Sequence, residues 1–387
     1  MSKLHFIAGN DVQLLQSGEQ YFPALIAEIN QARHEVYLET YIFASDQTAQ
    51  AVQSALIDAA ARGVLVRVVI DWIGSDRQAA LDLTRHFIGA GVACRCFNPW
   101  FKRGLARTHR KICVTDQQVA IVGGLNIIDD AISDDGSARP LPFPRWDFAV
   151  RVMGPLVSHI HLEVEAQWLK IGKLDLRSRF ALLRHLRADA KMEKKQITSA
   201  ALVVRDNLRN RSTIQKAYLH ALGTARKRAV LVTPYFAPGR KFRRALIAAA
   251  RRKVEVVLLL GVGQFALQDA VSQSFYPRLL KHGVRIVEYR KTQLHAKVAV
   301  IDEDWATVGS SNFDGLSLFV NHEANIVIHD KGFAEKLAAE LDQGVADGVE
   351  IFLSDVEKKT WYQRAWYGTA YLIYRGLMRI VTFGHYG

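Results

Sequence analysis

At 387 residues the chain is long enough for two ordinary domains or one large pseudo-symmetric one, and 49% hydrophobic with 23% charged residues excludes a disordered polypeptide. Lys and Arg number 51 against 38 Asp and Glu, a formal net charge of +13 that predicts attraction to a polyanion and leaves nucleic acid and an anionic membrane surface both open. The segment Met1–Asn10 lacks the apolar run of a signal peptide, no stretch approaches 18 apolar residues, and Cys94, Cys96 and Cys113 read as reduced core thiols, so the expected contact with any bilayer is peripheral.

Residues 10–20 read as a lead-in, followed by a helix over Tyr21–Ala32, a strand over Val36–Phe43, a helix over Thr48–Arg62 that closes before Gly63, and a strand over Val64–Asp71. A helix over Leu81–Gly89 and a strand over Val92–Phe97 come next, and this β-α-β order predicts a parallel arrangement with right-handed crossovers. The second half repeats the pattern: Ala55–Val64 is answered by Ala245–Val254, and Gly91-Val92 by Gly283-Val284.

The strongest repeat is His109-Arg-Lys111, Asp116, Gly123-Gly124 and Asn126, which recurs as His295-Ala-Lys297, Asp302, Gly309-Ser310 and Asn312 with every spacing kept. At average composition such a set of identities arises by chance roughly once in a million positions. The β-branched runs after each Lys read as buried strands, and residues two apart on a strand share a face, so each copy offers an imidazole beside an ammonium group. Asp116 and Asp302, at odd spacing and beside a turn, are placed to fix that turn. Small residues at Gly124 and Ser310 leave room for a ligand or backbone, and Asn126 and Asn312 can donate amides to it. Two copies face to face give a cationic cage suited to a phosphodiester, in which one His attacks phosphorus and the other serves as acid and base. The flanking lysines would repel a divalent cation, so neither a metal nor another cofactor is expected.

This doubled pattern resembles the phospholipase D superfamily over about residues 10–350. With Leu38–Phe43 and Ala306–Asn312 added, it is most similar there to the bacterial cardiolipin synthases, nearest the cardiolipin synthase B type. The resemblance implies an α/β fold of two pseudo-symmetric α-β-α halves, each with a mixed, largely parallel sheet, and an active site at their interface. It implies exchange through a phosphohistidine, with His109 as nucleophile and a catalytic set of His109, Lys111, Asp116, His295, Lys297 and Asp302. Gly124, Asn126, Ser310 and Asn312 would bind substrate. Asp147 and Glu323 would orient the imidazoles, with the pairing left open, and Glu39, an acid inside an apolar strand, would stand behind the site or pair with something at the strand end.

The expected layout is a first half at 1–170, a basic linker at 171–200, a second half at 201–355 and a tail at 356–387. Over Ile171–Lys195 basic residues alternate with leucines, which fits a solvated linker helix or a membrane-surface helix. From Lys358 to Gly387 there are five Lys or Arg, no Asp or Glu and eight aromatics. A helix there sets Arg364, Arg375 and Arg379 opposite Tyr362, Trp366, Ile373, Leu377 and Ile380, a face that would lie on a bilayer or dock on the protein. Tyr235-Phe236 is expected to match the Glu39 region in the second half, and Pro99–Gly104 joins aromatics to cations ahead of the first motif. With these features, the resemblance implies a phosphatidyltransferase, peripheral on the cytoplasmic side of the cell membrane. Its partners would be anionic phospholipids, phosphatidylglycerol and cardiolipin, with no nucleic acid and no obligate protein partner. A hydrolase or nuclease of the same superfamily is the alternative.

Overall fold

The computed structural model describes residues 4–102, 104–172, 198–206 and 210–382. Two mixed sheets with helices on their outer faces, and two more helices packed with their inner faces, make up the fold. The first contains β1 (Asp11–Gln16), β2 (Glu35–Thr40), β3 (Leu65–Asp71), β4 (Ala93–Phe97), β5 (Ile112–Thr115), β6 (Val119–Gly123) and β7 (Phe148–Met153), in the spatial order β1-β7-β6-β5-β2-β3-β4. The second contains β8 (Ser199–Arg205), β9 (Arg228–Thr233), β10 (Glu255–Gly261), β11 (Arg285–Tyr289), β12 (Val298–Ile301), β13 (Trp305–Gly309), β14 (Glu323–His329) and β15 (Val349–Ile351), in the order β15-β11-β10-β9-β12-β13-β14-β8. Apart from β15 the orders coincide, β2 answering β9 and β5 answering β12.

The α/β class and the duplicated halves agree with expectation, but the sheets are less parallel than predicted. Parallel pairing is confined to β2-β3-β4 and β9-β10-β11, and every other neighbour runs antiparallel. The reason is connectivity: helical crossovers join only those three strands, whereas each motif strand returns through the short Asp turn and so must pair antiparallel. The supposed lead-in contains β1, an edge strand paired with β7, and β8 opens inside the segment expected as linker. The basic helix expected over Ile171–Lys195 lies, from Lys173 on, outside the described residues.

Alternation along the strands assigns three cores, one outside each sheet and one shared between them. On β2, Val36 and Leu38 face the helices Ser17–Gln31 and Gln47–Ala61, while Tyr37 faces the other half. Likewise Leu231 of β9 faces outward, with Val230 and Val232 inward. The inward faces share one apolar cluster with helices Leu156–Ile171 and Lys331–Ala346, so both sheets are fixed against each other by burial rather than tethered by the linker alone.

Helix Trp361–Val381 serves two surfaces at once. Ala370 and Met378 are buried and Tyr367, Tyr371 and Tyr374 half-buried against the second half, with the Tyr374 hydroxyl accepting from Gly315 N at 2.8 Å. The opposite face leaves Trp361, Tyr362, Trp366, Leu372, Ile373, Leu377 and Ile380 exposed. Thus the apolar face identified from sequence is not the one that docks on the protein. No described helix is long and apolar enough to cross a membrane.

Candidate active site

Each motif enters the cleft by pairing with the opposite half. His109 N donates to His322 O at 2.9 Å, and His295 N donates to Trp146 O at 2.9 Å. The next residues along, Glu323 and Asp147, carry the carboxylates that meet the imidazoles, and the pairing crosses between halves. His109 Nδ1 lies 3.0 Å from Glu323 Oε2 and 3.0 Å from the Ser310 carbonyl; His295 Nδ1 lies 2.6 Å from Asp147 Oδ2. A proton on each Nδ1 is thereby committed, which leaves Nε2 of both rings as the atom available for chemistry.

Lys111 and Lys297 are fully buried and each donates to the carbonyl of its own motif histidine. Burial, and secondarily the charge of Lys297, brings Lys111 down to about 7. Burial brings Lys297 down to about 8 against the pull of Asp147 and Asp134. Burial also lowers both histidines, His295 further because Lys297 lies beside it, and pushes Asp147 up to about 6. Because the Ser310 carbonyl meets His109 and the Asp147 carboxylate meets His295 across the halves, the two His-Lys pairs share one cleft. Desolvation disfavours both ammonium charges, and an anion entering the cleft favours them.

The remaining motif residues divide. Asn126 Oδ1 accepts from Ile42 N at 3.2 Å, and Asn312 is buried with its Oδ1 unpartnered among the described residues. Gly124 and Ser310, expected to touch substrate, sit behind the imidazoles instead. A Cβ on Gly124 would fall 2.2 Å from Asp147 Oδ1, and Ser310 Oγ donates to Glu323. The small residue is required because the orienting carboxylate occupies the space.

Asp116 and Asp302, expected in the catalytic set, stand at their turns away from the imidazoles and hold backbone N–H groups. Asp116 accepts from Arg33, His34 and Glu35 N at 2.8, 2.8 and 2.9 Å; Asp302 accepts from Arg226, Lys227 and Arg228 N. Each ties its motif strand to the start of the neighbouring strand, at the end of the sheet away from the histidines. Glu39 touches neither imidazole. It lies 3.1 Å from Arg110 Nε, and Arg110 also reaches Glu163 at 3.0 Å. Arg110 is out of phase with His109 and Lys111, so its charge points into the protein and requires burial of a counter-ion. Tyr235-Phe236 matches Ile42-Phe43 in register, since Glu39 pairs Ile112 while Val232 pairs Val298.

Sequence reasoning assigned no role to Tyr41 or Asp134. The Tyr41 ring stands 4.9 Å from that of His109, with Lys111 Nζ 5.2 Å from its centre. Asp134 Oδ2 lies 3.8 Å from His295 Nε2. Tyr41 belonged to a stretch already singled out at a strand end. Asp134 sits in a Ser-Asp-Asp-Gly loop that reads only as a turn.

A family model described as "Cardiolipin synthase, PLD-like domain" matches residues 25–136 and 218–344, which include both motifs. Cardiolipin synthase B of Escherichia coli K12 is 37% identical over 369 residues, covering 92% of this chain and 85% of that protein, and the Salmonella typhi protein of that name is 38% identical over 367. Cardiolipin synthase 1 of Bacillus cereus is 27% identical, covering 91% of this chain and 70% of that protein. In fold the chain is similar to the phosphatidylserine synthase of Haemophilus influenzae Rd KW20, with a TM-score of 0.72, 13% identity and coverage of 98% and 97% of the two chains.

Proposed function

The chain belongs to the family of cardiolipin synthases with a PLD-like domain, and from that membership and the geometry of the cleft we propose that it transfers a phosphatidyl group between two phospholipids through a phosphohistidine. The observation that carries the reading is the pair of crossed carboxylate–imidazole contacts, each freeing an Nε2 in a cleft that also holds two buried lysines.

In this reaction Nε2 of His109 attacks the phosphorus of phosphatidylglycerol while Lys111, Lys297 and the Asn amides take up charge on the non-bridging oxygens. The N–P bond forms, the P–O bond to glycerol breaks, and His295, which takes up a proton on Nε2 as the anionic phosphodiester enters the cleft, gives that proton to the departing oxygen. The terminal hydroxyl of a second phosphatidylglycerol then returns a proton to His295, its oxygen attacks phosphorus, and the N–P bond breaks to release cardiolipin. One phosphodiester replaces another, so no nucleotide is consumed; the site has only to keep water from the phosphohistidine. Phosphatidylethanolamine, or another phospholipid, is a second acceptor of the same chemistry.

Both substrates reside in an anionic bilayer, and the enzyme meets it peripherally, on the cytoplasmic side. The +13 charge, the exposed face from Trp361 to Ile380, and the exposed Trp100 and Phe101 support that placement, as do three free cysteines. Changing Trp366 and Leu377 to Ser removes apolar contacts that the fold does not use and should weaken pelleting on anionic vesicles; unchanged pelleting contradicts a membrane role for this face.

The function is tested by incubating the protein with labelled phosphatidylglycerol vesicles and chelator. Cardiolipin and glycerol are the expected products. Phosphatidic acid as the main product, or plasmid nicking without lipid turnover, contradicts the proposal.

A further inference from the structure

Asp134 has no place in the duplicated pattern, yet it faces the reacting nitrogen of one histidine and not the other. Its side chain is 5% exposed, and its two oxygens have different surroundings. Oδ1 accepts from Gln264 Nε2 at 2.6 Å and from Gln293 Nε2 at 2.7 Å. Those amides are themselves held: Gln264 Oε1 accepts from the Tyr235 hydroxyl at 2.8 Å, and Gln293 Oε1 from Arg145 Nε at 2.9 Å. Oδ2 accepts no hydrogen bond among the described residues. It stands 3.8 Å from His295 Nε2 and 3.7 Å from Arg145 Nε, both beyond hydrogen-bonding length. His295, Arg145 and Lys297 hold the carboxyl below its usual range, against burial, so Oδ2 is anionic.

A clamped carboxylate oxygen that has no protein donor and stands beside a proton-exchanging nitrogen is an incomplete binding site. A phosphate oxygen would be repelled there, and a hydroxyl would be received. One hydroxyl alone cannot donate to both Nε2 and Oδ2, whereas two hydroxyls on adjacent carbons lie about one hydrogen-bond length apart and can serve one each. An amino alcohol would bring an ammonium group into a field already set by Arg145, Lys297 and Lys111.

We propose that Asp134, clamped by Gln264 and Gln293, binds the second hydroxyl of a vicinal diol whose neighbouring oxygen exchanges a proton with His295. This rests on the transferase reading and deepens it, because the central hydroxyl of a glycerol headgroup is adjacent both to the oxygen that departs and to the terminal oxygen that attacks. The carboxylate also steers the donor phosphate away from His295, toward His109. Asp134 therefore distinguishes the alcohol half of the site from the phosphoryl half.

The experiment measures phosphatidyl transfer from phosphatidylglycerol to free alcohols, comparing kcat/KM for 1,2-propanediol, 1,3-propanediol and ethanolamine. The native enzyme should favour the 1,2-isomer over the 1,3-isomer by roughly ten- to a hundredfold, the effect of one hydrogen bond to a charged group. In Asp134→Ala that ratio should collapse toward one, whatever happens to the absolute rate. Asp134→Asn, nearly the same shape, should lower the same ratio and covers the case in which the Ala protein does not fold. An unchanged ratio in the variants, no preference between isomers in the native enzyme, or ethanolamine as the favoured acceptor each overturns the assignment. Loss of the ratio is something a merely structural role would not produce. Absence of transfer to any alcohol by the native protein would instead remove the transferase reading, and this inference with it.

Discussion

His109 and His295 occupy equivalent positions in a duplicated fold, yet their surroundings differ in nearly every contact. His109 has a glutamate, a serine hydroxyl behind that glutamate, and an aromatic ring against its side. His295 has an aspartate, a glycine behind it, and a second carboxylate facing its free nitrogen. Duplication supplied two copies of one backbone device, and divergence of four or five neighbouring side chains gave the copies different chemistry. A neutral, unencumbered Nε2 suits the attack on phosphorus, while an Nε2 beside an anion suits proton exchange with an alcohol.

The largest test of that difference is removal of each imidazole. His109→Ala should abolish both turnover and covalent labelling, a loss of roughly ten-thousandfold or more. His295→Ala should lose turnover on phosphatidylglycerol to a similar degree but still become labelled by a phosphodiester with an activated phenol as leaving group, which needs no proton. Identical behaviour of the two variants would break the comparison.

Next come the carboxylates, where Glu323→Gln and Asp147→Asn should each cost roughly ten- to a thousandfold. Single-turnover measurements should locate the Glu323→Gln defect in phosphoenzyme formation. Asp147→Asn should retain labelling by the activated substrate, as His295→Ala does; the reverse assignment would exchange the roles.

A smaller effect is expected from pH. Lys111 and Lys297 must be charged to receive the phosphodiester, and a lysine with a lowered pKa loses its charge as pH rises through that value. Hence kcat/KM should fall above about 7, through Lys111, and further above about 8, through Lys297. Bound phosphate favours the charged forms, so the alkaline limb of kcat should lie at higher pH than that of kcat/KM. His109 must be neutral and His295 protonated; burial lowers both, so the acid limb should lie below 6.5, and His295 gains its proton only with the charge of the bound phosphodiester. Coincident alkaline limbs would show that the lysines do not meet the phosphate.

The smallest effects fall on the latches. Asp116→Ala and Asp302→Ala each free three backbone N–H groups and should destabilise the fold by about 1–3 kcal/mol in denaturant titrations. The folded enzyme should keep its kcat; a large loss in kcat without a loss of stability would restore them to the chemistry.

Much of this was readable before any coordinates. Spacing alone gave the duplicated His-Lys pairs, because a strand fixes side-chain direction at period two, and the turn position of Asp116 was itself the signal of its latching role. Residues 10–20 were misread because an edge strand with one exposed face carries little apolar signal. The crossed pairing of Glu323 with His109 was hidden for a different reason: it depends on how the halves face each other, a non-local property. Asp134 was hidden twice, by a loop composition that reads as a turn and by partners at Gln264 and Gln293 that only the assembled cleft brings near. Gly124 was legible as a place where something must come close, but not as the place of a carboxylate.

The proposed transfer depends on Nε2 of His109 as the atom that bonds to phosphorus. The most direct measurement is to quench the enzyme in alkali during turnover of phosphatidylglycerol, where phosphohistidine survives, and to map the adduct by mass spectrometry. A phosphatidyl adduct on the peptide containing His109, absent from His109→Ala, is the predicted result. An adduct on His295, or turnover with no adduct on either histidine, would contradict it.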